Sequence, residues 1–395
     1  MKSGKMPRRK AIKNEELRMK NGGTAAQNQE RRIFCGLVIE TQRFPVPLAF
    51  LFFPGVTYRY ESVIRMGGLA MCTALHLTNG EEQAVFGRTM DFHYDLGSHM
   101  YAMSRGYSWM AGKEPIQNQY AVMGIGSGYA PALFDGVNEK GLAGAELYFP
   151  GYAHFEKIGM TGRKEIPAGH VLHCLLGTCA SAADVKSWFL EHAVTEAGNP
   201  KTGSVLPVHW MLADTAGAVI VVEITRTGLH IYDNPVGVLT NSPDFHWHLT
   251  NLRNYMEAVP EQTERAAWGN QALYPFGQGL ATGILPGGYA PPARFVRAAY
   301  GAAFASRGET ETDLVGAGFH ILESVMVPKG LVKTKEGRFD ATQYTAMVDP
   351  FCQRYYLRTY QHLNVRSISL QEVGVPTGGL RDIGPLESIP VDPAF

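Results

Sequence analysis

Residues 72–395 predict a layered α+β fold. Three observations carry that expectation: strand-like segments follow one another in runs, helix-like segments fall in a run of their own, and the strand–helix alternation of a parallel sheet is missing. Residues 72–78 are strand-like, Asn79-Gly80 is a strong hairpin signal, and 83–89 supply the returning strand. Strands are expected again at 120–124 and 141–149. Residues 167–178 read as a helix with Val171, Leu172, Leu175 and Leu176 on one face. Ser181-Ala-Ala-Asp184 has the form of a capping box and starts a second helix, with Val185, Trp188 and Phe189 turned inward. Turn residues then separate strands at 209–214, 218–224, 228–232 and 237–240. Pro328-Lys-Gly330 marks a turn, and strands at 343–349, 352–360 and 365–369 close the chain. No internal repeat or low-complexity tract interrupts this order.

Composition bounds the function. The 395 residues are 45% hydrophobic and 11% aromatic, enough for a sizeable core in one large domain or two ordinary ones. Lys+Arg and Asp+Glu are both 36, so the formal charge is zero and offers nothing to recruit nucleic acid or an acidic membrane surface. The cysteines, Cys35, Cys72, Cys174, Cys179 and Cys352, are odd in number and scattered, which argues against a disulfide framework. Cys174 and Cys179 read as buried thiols in a helical stretch.

Residues 1–71 differ in texture. The first 32 are polar and basic, with Arg8-Arg9-Lys10 and Arg31-Arg32. The apolar run that follows is broken by Glu40, Arg43, Pro45, Pro47 and Pro54, whereas a membrane helix needs roughly 20 nearly uninterrupted apolar residues. The basic stretch is too long for the charged start of a secretory signal, so a cytoplasmic location is expected. Gly67-Gly68 can be encoded with GGAGG a few nucleotides before an ATG for Met71. Residues 1–71 are therefore read as an N-terminal extension, either a propeptide or an over-extended reading frame, and 72–395 as a single catalytic domain.

The stretch richest in chemistry is Cys72-Thr-Ala-Leu-His-Leu, the hairpin, and Gly87-Arg88-Thr89-Met90-Asp91. A Cys72 freed of what precedes it carries a thiol, of pKa about 8.5, and an α-amine, of pKa about 8. The neutral amine accepts the thiol proton near neutral pH with no histidine, and nucleophile and base share one residue, which fixes their geometry covalently. The hairpin returns residues 87–91 beside the first strand, where Arg88 favours the thiolate and Asp91 is placed to orient the amine. A lone cysteine is more often a buried thiol. Its position after a start-like Met, with Arg and Asp brought back beside it, favours the nucleophile. Asn241 reads equally as a catalytic amide or as an Asx turn before Pro243.

Several separated blocks occur together: Met71-Cys72-Thr73, Gly87-Arg-Thr-Met-Asp91, Asp135-Gly-Val-Asn-Glu-Lys-Gly-Leu142, Gly237-Val-Leu-Thr-Asn-Ser-Pro243, Phe276-Gly-Gln-Gly279, Ala293-Arg-Phe295 and Thr342-Gln-Tyr-Thr345. With them the chain resembles the choloylglycine hydrolase family, which contains bile salt hydrolases and penicillin V acylases. The resemblance runs from Cys72 almost to the C-terminus. It implies the four-layer αββα sandwich of N-terminal-nucleophile hydrolases, a homotetramer, and hydrolysis of a linear amide in a small molecule. It assigns Cys72 as nucleophile, Arg88 and Asp91 as its polar partners, Asn241 and the Tyr148 backbone N–H as the oxyanion hole, and Arg294 as a second active-site arginine. Donors aimed at a developing oxyanion are each worth roughly 2.7–4 kcal/mol.

Tyr148 also bears on substrate. Penicillin V acylases carry Tyr at this position and bile salt hydrolases usually Asn, so penicillin V is the expected substrate, with a conjugated bile salt as the alternative. A third reading is an unprocessed, catalytically silent protein that only binds acyl amides or bile acids. Met90, Phe92, Tyr148 and the loop 124–133, ending at Leu133, are the expected pocket walls. Gly288, Ala290 and Ala293 stand where the family commonly has Asp, Thr and Ser, which threatens the loop presenting Arg294. A papain-like pairing of Cys72 with His209 is the rival mechanism. Gly124-Ile-Gly-Ser-Gly128 reads as a tight glycine turn, not a dinucleotide fingerprint, because Pro131 follows instead of a helix. His246-Trp-His248 lacks a second ligand cluster. No cofactor and no metal are expected, and the partner is a small-molecule amide, with no nucleic acid and no membrane.

Overall fold

The computed structural model describes residues 71–80, 83–128, 132–198 and 205–395, all within one unit of the chain, Arg59–Phe395. Residues 1–70, the bulk of the expected extension, lie outside the described residues. Met71 opens the first strand.

Strands β1 (Met71–Thr78) and β2 (Ala84–Phe92) form the expected antiparallel hairpin. The connection is longer than a two-residue turn, because the Asn79 N–H closes it onto Gln83 O at 2.9 Å. The hairpin lies inside an antiparallel sheet ordered Val238–Leu239, β1, β2, Phe339–Asp349, Arg354–Thr359, Arg366–Ser369, with Val332–Lys333 pairing off the fourth strand. Nearly every residue of β1 and β2 is buried, so their sequences carry little polar alternation.

A second antiparallel sheet runs Gly228–Asp233, Val219–Thr225, Val208–Ala213, Ala143–Tyr148, Leu133–Asn138, Val122–Ser127, Ser98–Met103, Leu380–Pro385. Its outer face is covered by α1 (Val171–Thr178) and α2 (Ala182–Glu191). The apolar face read from sequence, Val171, Leu172, Leu175 and Leu176, is fully buried there, as is the Cys174 thiol. Ser181 caps α2 by accepting the Asp184 N–H at 3.2 Å, while the Asp184 carboxylate reaches back to Ala180 N. The segment Asp244–Asn251 contains the short helix α3 (Phe245–Asn251), which sits beside α4 (Pro291–Phe304). Helices α4 and α5 (Glu311–Glu323) pack on the outer face of the first sheet. The two sheets face each other around a core that includes Ala74, Met90, Val137, Ala145 and Leu357. The fold is thus the four-layer αββα sandwich, with the layers given by strand runs and separate helix runs. Among the described residues, no helix is long and apolar enough to cross a membrane.

Two expectations are corrected. Gly124 and Gly126 are not a turn; they lie in Val122–Ser127. A Cβ on Gly124 would meet Asp135 O at 2.4 Å, and one on Gly126 would meet Ala132 O at 2.4 Å, so glycine is required by close backbone approach, not by turning. The expected loop 124–133 is accordingly mostly strand, with 129–131 outside the described residues.

Candidate active site

Side chains directly opposite in an antiparallel pair share a face, and successive residues alternate between faces. Cys72 faces Met90 and Ala74 faces Arg88, so these four point between the sheets, whereas Thr73, Thr89 and Asp91 point toward α4 and α5. The hairpin therefore gives Arg88 and Asp91 different tasks. Arg88 Nη2 lies 2.8 Å from Cys72 Sγ. The Asp91 carboxylate, on the other face, accepts from Thr342 Oγ1 at 2.5 Å and Thr89 Oγ1 at 3.2 Å.

The other two predicted residues close on Cys72 from distant parts of the chain. Asn241 Oδ1 accepts the Cys72 backbone N–H at 3.0 Å and Arg294 Nη2 at 2.6 Å, while Asn241 Nδ2 donates to Tyr148 O at 2.7 Å. Arg294, delivered by α4, also donates to Cys72 O (2.6 Å), Thr73 Oγ1 (2.7 Å) and Tyr289 O (2.9 Å). Cys72, Arg88, Asn241, Tyr148 and Arg294 are thus one connected cluster; Asp91 joins it through its backbone N–H on the Cys72 thiol and its charge beside Arg294, while its carboxylate bonds Thr342 and Thr89 and the Cys72 nitrogen is taken by Asn241.

Burial pushes the Cys72 thiol up. The Arg88 guanidinium is the largest force in the other direction, Asp91 adds to the rise, and the Asp91 backbone N–H and Arg294 favour the thiolate. Burial alone would weaken the charge on Arg88, but its acidic neighbours, Cys72 first among them, outweigh this and hold it protonated.

Sequence reading missed what holds Arg88. Its Nη1 donates to Phe134 O (2.9 Å) and Glu146 O (3.1 Å) and stands 3.7 Å from Asp135, whose carboxylate is in turn held by Tyr344 OH (2.6 Å) and Tyr355 OH (2.9 Å). Asp135 was visible as the first residue of a family block; Glu146 carried no signal. Burial pushes the Glu146 carboxyl up to about 8, against the pull of Arg88 and helped by Asp135, and its Oε2 has no hydrogen-bond partner. The folded chain thus keeps a proton that the unfolded chain releases near 4.5, so this site loses stability as pH rises from 4.5 to about 8. Glu146→Gln is expected to match the parent below that window, to become progressively more stable than it across the window, and to hold a constant advantage above. Thermal midpoints measured from pH 4 to 9 check this; a constant difference at every pH would contradict it.

The rival pairing of Cys72 with His209 does not form. His209 Nδ1 lies 3.0 Å from Glu223 Oε1 and its Nε2 3.0 Å from Thr240 O, so both ring nitrogens are taken elsewhere. His248 turns its Nε2 to Asn241 O.

Of the expected pocket walls, Met90 lies directly opposite Cys72, with its Sδ 3.4 Å from Arg88 Nη2. Half-buried Phe92 packs against the same core, and the Tyr148 backbone oxygen accepts from Asn241 Nδ2. Leu133 is a correction: it belongs to the cluster under α1 and α2, on the far side of the sheet. The cause is a bulge that sets Asp135 opposite Ile125 but Leu133 opposite Gly126, leaving Phe134 as the extra residue. The bulge turns Phe134, not Leu133, toward the core of Cys72.

The loop before Arg294 is held in an unexpected way. Arg297 Nη1 donates to Pro286 O (2.6 Å) and Gly288 O (2.7 Å), supplying bonds that Gly288 itself cannot. Ala290 is the N-cap of α4 and gives no side-chain bond. A capping side chain is not needed there, because Pro291 and Pro292 offer no N–H and the Ala293 N–H already donates to Ala290 O at 3.0 Å.

Comparisons with known proteins agree with this geometry. The family model described as linear amide C–N hydrolases, choloylglycine hydrolase family, matches residues 72–380. A bile salt hydrolase/transferase of Clostridium perfringens is 33% identical over 307 residues, 76% of this chain and 93% of that protein. Among solved structures, a variant of the conjugated bile acid hydrolase from Clostridium perfringens superposes with a TM-score of 0.75 at 30% identity, covering 82% of this chain and 100% of the other. Penicillin V acylase from Agrobacterium tumefaciens shares the fold, with a TM-score of 0.62 at 21% identity over 82% of this chain and 98% of its own.

Proposed function

We propose that this chain, which belongs to the choloylglycine hydrolase family of linear amide C–N hydrolases, cleaves the amide of a conjugated bile salt. The observation that carries the reaction is the cluster around Cys72: a thiol 2.8 Å from Arg88, and a backbone nitrogen 3.0 Å from Asn241. For the substrate, support comes from relatives: those at 33% identity over three quarters of the chain are named for bile salts, whereas the penicillin V acylase is a likeness of fold. The preference for penicillin V drawn from Tyr148 alone gives way to this. Penicillin V remains the second reading, since Tyr148, whose backbone oxygen holds Asn241 Nδ2, is the residue type that the resemblance to penicillin V acylases rests on.

In the proposed mechanism the α-amine of a mature Cys72 takes the thiol proton, and the thiolate attacks the amide carbon. The oxyanion is held by the second hydrogen of Asn241 Nδ2, the first being fixed on Tyr148 O, and by the Tyr148 N–H. The α-ammonium returns its proton to the leaving nitrogen, which departs as the free amine and leaves a thioester. Water, deprotonated by the same amine, attacks the thioester carbon and releases the carboxylic acid and the thiol. Asn241→Ala is expected to lower kcat by about 10²–10³ with a smaller change in KM, the mark of lost transition-state stabilisation. A rise in KM alone would make Asn241 a substrate-binding residue.

The expected homotetramer would cover apolar side chains that the segment 256–284 leaves exposed, Met256, Trp268, Tyr274, Phe276, Leu280 and Ile284. Turnover of glycine- and taurine-conjugated bile salts against penicillin V, with intact mass recorded, tests the assignment; a clear preference for penicillin V would reverse the order of the two readings.

A further inference from the structure

The two carbonyls that bracket Asn241 are each met by a buried histidine. His209 Nε2 lies 3.0 Å from Thr240 O, and His248 Nε2 lies 2.8 Å from Asn241 O. Both side chains are fully buried. A carbonyl oxygen only accepts, so each Nε2 carries the hydrogen. Burial drives the pKa of His248 down to about 4, which keeps it neutral, in the tautomer that donates from Nε2.

The rings reach further than these bonds. His209 lies flat on Phe149, centroids 4.2 Å apart and planes 7° apart, next to Tyr148. His248 lies on Phe295, centroids 4.6 Å apart and planes 15° apart, next to Arg294. Glu223 Oε1 ties the two halves together: it sits 3.0 Å from His209 Nδ1 and accepts the Phe245 N–H at 3.0 Å, at the start of the helix that carries His248. Tyr148 and Arg294, two of the three residues bonded to the Asn241 side chain, therefore each have a sequence neighbour pinned by one of two rings, and both rings trace back to one buried carboxylate.

We infer that His209 and His248 are positioning residues, which clamp the peptide groups on either side of Asn241 and hold its side chain in register with Tyr148 and Arg294. This rests on the reading of Asn241 as an oxyanion donor. An oxyanion donor works only if it is aimed before the charge develops, and a supporting shell fixed by hydrogen bonds and packing is what keeps that aim. Asn241 follows a strand of two residues, so its neighbours in the chain give it little regular hydrogen bonding, and the histidines make up the difference.

The test is a comparison of His248→Ala and His248→Gln, each alone and combined with Asn241→Ala, in the mature chain acting on a glycine-conjugated bile salt. His248→Ala is expected to lower kcat by about 10- to 100-fold with KM nearly unchanged, a fraction of the loss from removing the donor itself. His248→Gln, whose amide offers an N–H in place of Nε2, should recover most of that loss. In the Asn241→Ala background the same His248 changes should cost less than about twofold, because the group they aim is already gone. An equal loss in both backgrounds, or an undiminished kcat in His248→Ala, would overturn the inference. Should His248→Ala fail to fold, His248→Phe and His209→Phe, which keep a ring against Phe295 and Phe149 but donate nothing, carry the same comparison, with the same equal loss overturning it. If the parent turns over and Asn241→Ala is as fast, the oxyanion reading fails and this inference with it. A parent that hydrolyses no amide would instead refute the proposed function.

Discussion

Cys72→Ala is expected to abolish turnover of every amide substrate while leaving the fold intact. In the proposed mechanism the thiol is the nucleophile, so its loss removes the covalent step and not merely an accelerating contact. Little structural penalty should follow. Arg88 loses the bond to Sγ but keeps Phe134 O, Glu146 O and the neighbouring Asp135. Burial also disfavours the thiolate, so removing Sγ removes a group whose charged form is held at a cost. Loss of a single buried hydrogen bond of this kind costs about 1 kcal/mol, and the deleted volume is one sulfur atom. Cys72→Ser should fold equally well but turn over very slowly, because a hydroxyl is a far weaker nucleophile near neutral pH. Circular dichroism, thermal midpoints and hydrolysis rates of both variants make the check. Substantial turnover by a well-folded Cys72→Ala would show that another group attacks the amide.

How much of this site could be read from sequence depended on distance along the chain. Cys72, Arg88 and Asp91 share one hairpin, so ordinary turn and strand signals place them together, and the structure adds only that Arg88 and Asp91 face opposite ways. Asn241 and Arg294 lie 169 and 222 residues from Cys72, and no local pattern brings them in. Their assignment came from the family blocks alone. Phe134 was missed in favour of Leu133 because a bulge shifts the alternation by one, and a bulge in a glycine-rich strand pair leaves no residue pattern that differs from a loop. Helices α4 and α5 went unassigned for a related reason. Gly301 and Gly318 look like breaks, yet a Cβ on Gly301 would meet Ile321 at 2.9 Å and one on Gly318 would meet Met347 at 2.3 Å. These glycines let helix pack on helix and helix on sheet. The Thr310–Asp313 capping box that starts α5 is the local signal that marks this helix in the sequence.

The expected effect that best separates this mechanism from its rivals concerns the bond in front of Cys72. Here the Cys72 nitrogen belongs to the Met71–Cys72 peptide and donates at 3.0 Å to Asn241 Oδ1. An amide nitrogen is not basic near neutral pH, so in this form the thiol, Arg88, Asn241 and Arg294 are assembled without a proton acceptor. Neither histidine beside Asn241 stands in, because both nitrogens of His209 are engaged by Glu223 and Thr240 and His248 donates to Asn241. Removal of Met71 turns the same nitrogen into an α-amine of pKa about 8, already 3.0 Å from the Asn241 oxygen that would orient it. A preparation that retains residues 1–71 is therefore expected to be inactive, and a chain beginning at Met71 to become active once Met71 is removed, with the gain tracking the fraction of free Cys72. Arg88 alone does not substitute for the amine: it stabilises the thiolate but, always protonated, accepts nothing from the thiol and returns nothing to the leaving nitrogen. The measurement is hydrolysis of a conjugated bile salt and of penicillin V by both preparations, with intact masses taken from the same samples. Full turnover by a chain shown by mass to keep residues 1–71 would mean that the base is not the Cys72 amine, and the N-terminal-nucleophile mechanism would fall.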